Sequence, residues 1–261
     1  MRSCITRSLL TWVLSLALGT QAAVASVTIG SGSVVNFGDG TFDFGCQDLT
    51  IAGQATGSAE ILRAITNLMI SSGGTLAPGA GSIWLGGDFA NAGTFASGTS
   101  HVNIVDACGN GTSHVSGSAE FYELAAVSAT GKQLVFPAGV SQTVSHALTF
   151  LGASGQLLNI VSSSSGVRAL LKVSPSAIQT IGYVNARDND ASAGATIAPG
   201  TPAQYSSINS GGLINWFGGM GGGGGGGASM VPAPVLGTAG RLALLLGVLF
   251  GAIAAARRRS R

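Results

Sequence analysis

The sequence predicts an all-β protein: an irregular parallel β-helix (solenoid), with a β-sandwich as the alternative, followed by one C-terminal transmembrane helix. Three observations lead there. Short apolar groups rich in β-branched and aromatic residues recur through residues 26–217 between Gly, Ser, Asn and Pro, which is the signature of strands and turns. The five letters "GTSHV" occur twice, at 98–102 and 111–115, an internal echo of the kind stacked coils produce. Finally, the chain closes on "RLALLLGVLFGAIAAARRRSR", an apolar run followed by four arginines.

The elements follow in order. Residues 1–25 read as a secretory signal peptide. "MRSCITR" is basic, "SLLTWVLSLALG" is apolar, and Ala23-Val24-Ala25 is a small-x-small cleavage site. The apolar part would span only about 18 Å as helix against roughly 30 Å of hydrocarbon, so cleavage is expected rather than anchoring. Cys4 leaves with this segment. Cys46 and Cys108 remain as a candidate disulfide of an exported protein, with two separate buried thiols as the other reading.

Residues 26–217 form the predicted strand-rich extracytoplasmic domain. "VVNF", "LTIA", "LMIS", "IWLG", "HVNIV", "QLVF", "ALTF", "LLNIV", "ALLKV" and "IGYVNA" are its strands. In "GGDFANAGTFASG", Asp88-Phe89 and Thr94-Phe95 read as two turn-strand units. Only "SAEILRAITNLMI" carries helical spacing, at Ile61, Leu62, Ile65, Leu68 and Met69, and is expected to be a coil variant or a short capping helix. Between Ser26 and Met230 five cations (Arg63, Lys132, Arg168, Lys172, Arg187) face ten carboxylates. A mildly acidic body excludes nucleic acid as a partner, because phosphate binding needs a basic face.

Residues 218–230 are a glycine-rich linker. Residues 231–261 hold a Pro-containing motif, the apolar helix and the basic tail. Leu242 to Ala256 is about 22 Å of helix, short for a span; starting at Val235 gives about 33 Å with Arg241 as the sole charge inside. Arg241 snorkels to the interface in this reading, and Arg257, Arg258, Arg259 and Arg261 stay in the cytoplasm with the body outside.

This tail resembles the C-terminal sorting signals of Gram-negative bacteria of the PEP-CTERM and IPTL-CTERM types. Val231-Pro232-Ala233-Pro234 is similar to the V-P-E-P form with Ala233 in place of the glutamate. Ala233-Pro234-Val235-Leu236 is similar to the I-P-T-L form, with Gly240 at the family's glycine and Ala239 where a tryptophan is usual. The resemblance implies an exosortase-like or rhomboid-like protease as partner, a helix that anchors transiently, and a body that passes from the inner membrane to the cell surface or matrix. A plain single-span membrane protein is the alternative. The body itself resembles the Gly/Ser-rich β-strand repeats of filamentous-haemagglutinin-like adhesins, on "GDFANAGTFASGTSHVNIV" and "VNARDNDASAGATI…SSINSGGLINWF", which implies an architecture rather than an activity.

Candidate chemistry is sparse, and no cofactor is expected. His101 and His114 share the repeated "TSHV" and, in equivalent positions of adjacent coils, would stack about 5 Å apart. His146 or Asp106 would be the third zinc ligand; the plain reading has both histidines facing solvent while Val102 and Val115 point inward. Asp188, Asp190 and Ser192 offer hard oxygens to calcium, although an Asx-rich turn explains the same letters. A glycan-cleaving site would need Asp39, Asp43, Asp48, Glu120 and Glu123 gathered on one face. Trp84, Tyr122, Tyr183, Tyr205 and Trp216 are the aromatics able to stack on sugars, but are expected to fill coil interiors or close the ends. The expected function is that of an exported, surface-sorted structural or adhesin-like protein without catalysis, with a secreted glycan-active or glycan-binding β-helix as the alternative and an extracellular glycan or matrix as possible partner.

Overall fold

A computed structural model describes residues 26–218. They form a parallel β-solenoid of about eight turns, with no α-helix among them and one 3-10 turn at Pro202–Tyr205. Three faces wind in the same order in every coil. The first face begins with Ser26–Ile29 and continues through residues 48–51 and 68–70, then Phe89–Asn91, Thr112–Ser116, Gln133–Phe136, Leu158–Ser162, Val184–Arg187 and Ile208–Asn209. The second runs from Val34–Asn36 through Gln54–Thr56, Thr75–Ala77 and Thr94–Phe95. The third stacks residues 41–43, 61–63, Ser82–Leu85, His101–Val105, 123–127, 147–151 and Ile178–Gly182. Nine of the ten apolar groups quoted from the sequence lie on these strands or, for "ALLKV", on Ala169–Val173; "IGYVNA" instead spans two strands, Ile178–Gly182 and Val184–Arg187, across a corner at Tyr183 with φ +53°.

Strand alternation builds the interior. On the third face Leu62, Ile83, Val102, Leu124 and Leu148 form one inward column, each at most 1% exposed. Each contributes about 1.5–3 kcal/mol by leaving water. Where the faces meet near the middle, Phe89, Phe95 and Phe121 pack with centroids 5.2–5.8 Å apart. The paired units "GGDF" and "GTF" thus supply the aromatic centre of the core.

Two sequence expectations need correction. "SAEILRAITNLMI" is extended: Ile61–Ile70 is one strand that bends at Ala64, which adopts φ +54°. The bend resets the alternation, so Leu62, Ile65, Leu68 and Ile70 all face inward at 0% exposure. Spacings of three and two around a corner imitate a helical stripe. The repeated "GTSHV" is likewise not a coil repeat. Coils advance by 19 to 26 residues along the first face, as the pairs Leu49–Leu68 and Leu134–Ile160 show, whereas the two copies lie 13 apart. His101 sits on the third face and His114 on the first, so they do not stack. Each copy still follows its alternation: Val102 and Val115 are buried, the histidines outside.

Residues 1–25, expected to be a leader, and Val231 to Leu236, expected to be a sorting motif, lie outside the described residues, as do the apolar stretch and arginines that follow. Among the described residues no helix is long and apolar enough to cross a membrane.

Candidate functional site

The outward surface of the third face gathers the richest set of side chains. Because Val102 and Ile104 point inward, His101 and Asn103 point out. Their register places His101 between Ser82 and Glu123, and Asn103 between Trp84 and Ala125. His101 Nδ1 lies 2.5 Å from Glu123 Oε2, and His146 Nε2 lies 3.6 Å from Glu123 Oε1. The ladder shifts register between Phe121 and Glu123, which brings Tyr122 and His146 together as a stacked pair, centroids 4.5 Å apart and planes 12° off parallel. Trp84 keeps 37% of its surface exposed. It does not fill a coil interior, contrary to the expectation for the aromatics. Trp216 and Tyr205 do help close the C-terminal end: Trp216 is buried and stacked on Phe150, and Tyr205 packs on Phe217.

Glu123 bridges two imidazoles with its two oxygens; the three side chains do not converge on one point, and among the described residues no group of three His, Cys, Asp or Glu could hold a metal. His114 instead lies against Asp88, Nδ1 to Oδ1 3.1 Å. Asp106 accepts the backbone N–H groups of Ala129 and Thr130 at 2.6 and 3.1 Å, as a turn carboxylate. The proposed calcium oxygens diverge too. Asp188 accepts from the Gly166 N–H at 3.0 Å, 22 residues earlier in the chain, and Asp190 from the Ser192 N–H at 2.8 Å, so Asp190 makes an Asx turn while Asp188 ties its corner to a turn of the neighbouring coil.

The five carboxylates of a glycan-cleaving site are dispersed. Asp43 pairs with Arg63 at 3.2 Å in the first coils, and Asp48 accepts from Asn67. Glu120 pairs in register with Thr143 before the strand bends, Glu123 with Ala147 after it. Four strand steps, about 19 Å at the usual strand spacing, separate the strand of Asp43 from that of Glu123.

Cys46 and Cys108 are joined, with Cα atoms 5.3 Å apart and a sequence separation of 62. Both occupy corners where the third face turns into the first, at φ +61° and +55°. Cys108 belongs to a later coil than Cys46, so its loop must fold back along the solenoid. Gly86 and Gly87 make that possible: a Cβ on Gly86 would come within 2.1 Å of Ala107 O, and one on Gly87 within 2.6 Å of Asn110 Nδ2. Beneath the loop Lys132, 1% exposed, donates to Gly86 O at 2.7 Å and to Asn110 O. Burial lowers the Lys132 ammonium from its usual 10.5, partly offset by Asp106 and Asp88.

Glu60 is a second fully buried charge-bearing group among the described residues, at 0% exposure with neither oxygen hydrogen-bonded. Its carboxyl fills the space that side chains at Gly57 and Gly81 would take. Desolvation by burial raises it from 4.5. Sequence reading passed over Lys132 and Glu60 because a lone charge in a turn looks solvated; only the glycines flanking Glu60 hinted otherwise.

No family model matches this chain, and no similarity to a curated protein or a solved structure was found.

Proposed function

We propose that the chain is an exported bacterial β-solenoid, sorted to the cell surface or matrix through its tail, and that it acts there as a structural or adhesive module without turning over a substrate. The observation that carries this reading is the Cys46–Cys108 bond. A cross-link between distant coils fits an oxidising compartment, and the leader-like residues 1–25 read as the route to one. The sorting-like tail and a body with few charges agree with it. Dispersal of the five carboxylates favours binding over hydrolysis. A protease applied to intact host cells should remove the body while cytoplasmic markers survive, and matrix glycans incubated with the protein should release no new reducing ends. Retention inside the cell, or steady release of sugar, overturns the reading.

A second reading adds a ligand. Trp84, the Tyr122–His146 stack and the His101–Glu123 pair form a flat polar-aromatic ledge, and such surfaces bind sugars through ring stacking plus hydrogen bonds. In this reading the ledge is where a surface or matrix glycan docks. Retention on immobilised glycans that falls with Trp84→Ala supports it; equal retention of the parent and variant removes it.

A further inference from the structure

The loop that carries Cys108 also holds the one Asn-Gly pair of the chain, Asn110-Gly111. In such a pair the asparagine side chain can react with the backbone N–H that follows it, because glycine has no side chain to shield that nitrogen. The fold leaves the nitrogen open. Among the described residues the Gly111 N–H donates to no backbone carbonyl, whereas Gly111 O accepts from the Gln133 N–H at 2.9 Å. The strand begins only at Thr112. Nothing structural asks for glycine at 111: its backbone is not left-handed, unlike Gly109 at φ +74°, and a Cβ there would meet nothing within 4 Å. Asn110 is half-buried, with its Nδ2 above Gly87.

Lys132 supplies the electrostatic part. Its buried Nζ donates to Asn110 O, the oxygen of the same peptide group whose nitrogen belongs to Gly111. When that N–H gives up its proton, the negative charge is shared between the nitrogen and Asn110 O, so the ammonium stands where the charge develops. A hydrogen bond of this kind strengthens as its acceptor becomes an anion. A second bond, to Gly86 O at 2.7 Å, fixes the ammonium in place. Burial works against the charge on Lys132, and Asp106 and Asp88 work for it.

We infer that Asn110-Gly111 is a site of spontaneous covalent modification, at which Asn110 becomes aspartate and isoaspartate through a cyclic imide. Hydroxide takes the proton from Gly111 N, and the nitrogen attacks Asn110 Cγ. The new N–Cγ bond forms, the Cγ–Nδ2 bond breaks, and ammonia leaves with a proton drawn from water. Water then adds to one of the two imide carbonyls. Addition at Cγ breaks the bond just made and leaves aspartate in an ordinary chain. Addition at the Asn110 backbone carbonyl breaks the original peptide bond and leaves the chain running through Cγ, as isoaspartate. The sum consumes one water and releases one ammonia, with no electron transfer and no enzyme. Each event puts a carboxylate on the residue whose carbonyl Lys132 already holds, two positions from the cross-linked Cys108. The inference needs only water and is independent of the export reading.

The test incubates the full chain, purified in a mild detergent, at pH 8 and follows each asparagine by peptide mass spectrometry after digestion in acid. Asn110 should convert to a mixture of aspartate and isoaspartate while Asn67, Asn103 and Asn159 stay intact. Isoaspartate marks the imide, since direct hydrolysis of the amide gives aspartate alone. The folded chain should convert about tenfold faster than the same chain in urea, because a hydrogen bond to a charged group is worth at least that much in rate. Lys132→Met should lose this advantage; if that variant melts early, the comparison of the folded and urea-unfolded parent still decides. Gly111→Val, for which the loop has room, should melt with the parent and convert several-fold more slowly. Conversion no faster in the folded chain than in urea, aspartate without isoaspartate, or a folded Lys132→Met that keeps the parent's rate each overturns the inference.

Discussion

Removing the Cys46–Cys108 cross-link is the perturbation whose size follows most directly from the structure. The bond closes a sequence separation of 62 residues, for which the chain-entropy relation gives about 4 kcal/mol at 25 °C. For a domain of this size that corresponds to a fall in Tm of roughly 8–16 °C, at about 2–4 °C per kcal/mol. The loss should also be local. In a solenoid each coil is coupled to its neighbours, and the bond ties the corner after the first coil to a corner several coils later. Cys108→Ser, and the parent in reductant, should therefore lose hydrogen-exchange protection in residues 26–105 before residues 133–190. Differential calorimetry with and without reductant gives the magnitude, and exchange read by mass spectrometry gives the location. A Tm change under about 2 °C, or protection lost evenly along the chain, would refute the argument that the bond clamps the early coils.

Other consequences are separable. Gly86→Ala places a Cβ 2.1 Å from Ala107 O; the loop must shift, and titration should find free thiols that the parent lacks. Lys132→Met takes the ammonium donor from Asn110 O and leaves Gly86 O with the Ser113 hydroxyl at 3.3 Å, and should cost about 1–3 kcal/mol in urea unfolding; an unchanged midpoint would show that water replaces the ammonium. Glu60 sets a pH dependence. Its folded value is raised above 4.5, so from there up through the raised value the folded state keeps a proton that the unfolded chain has lost. Stability from this group is complete below 4.5 and lost as pH rises through the folded value. Glu60→Gln should thus melt above the parent at pH 8 and level with it at pH 4, and parallel curves would contradict the assignment.

Much of the body was legible because solenoid interiors leave a plain trace. Groups such as "HVNIV" and "ALLKV" alternate strictly, and their inward residues Val102, Ile104, Leu171 and Val173 are all buried. What misled was the corners. Ala64 in a left-handed conformation gives Ile61–Ile70 a helical look. The coil length varies because corners differ in residue count, so an exact pentapeptide 13 residues apart suggested a stack that the register excludes. The ledge was half visible: Trp84, Tyr122, His101, Glu123 and His146 were each noted, but for different chemistries. Their meeting depends on a register shift after Phe121 that no local pattern encodes. Lys132 reaches back to Gly86 across a long stretch of chain, and a contact of that kind is invisible to periodicity.

The central claim is export into an oxidising compartment followed by display, and intact mass of the protein from its native host tests it most directly. With thiols alkylated before and after reduction, the account predicts a chain starting at Ser26, ending between Val231 and Leu236, with Cys46 and Cys108 blocked until reductant is added. A chain that starts at Met1 and carries both cysteines as free thiols would contradict it.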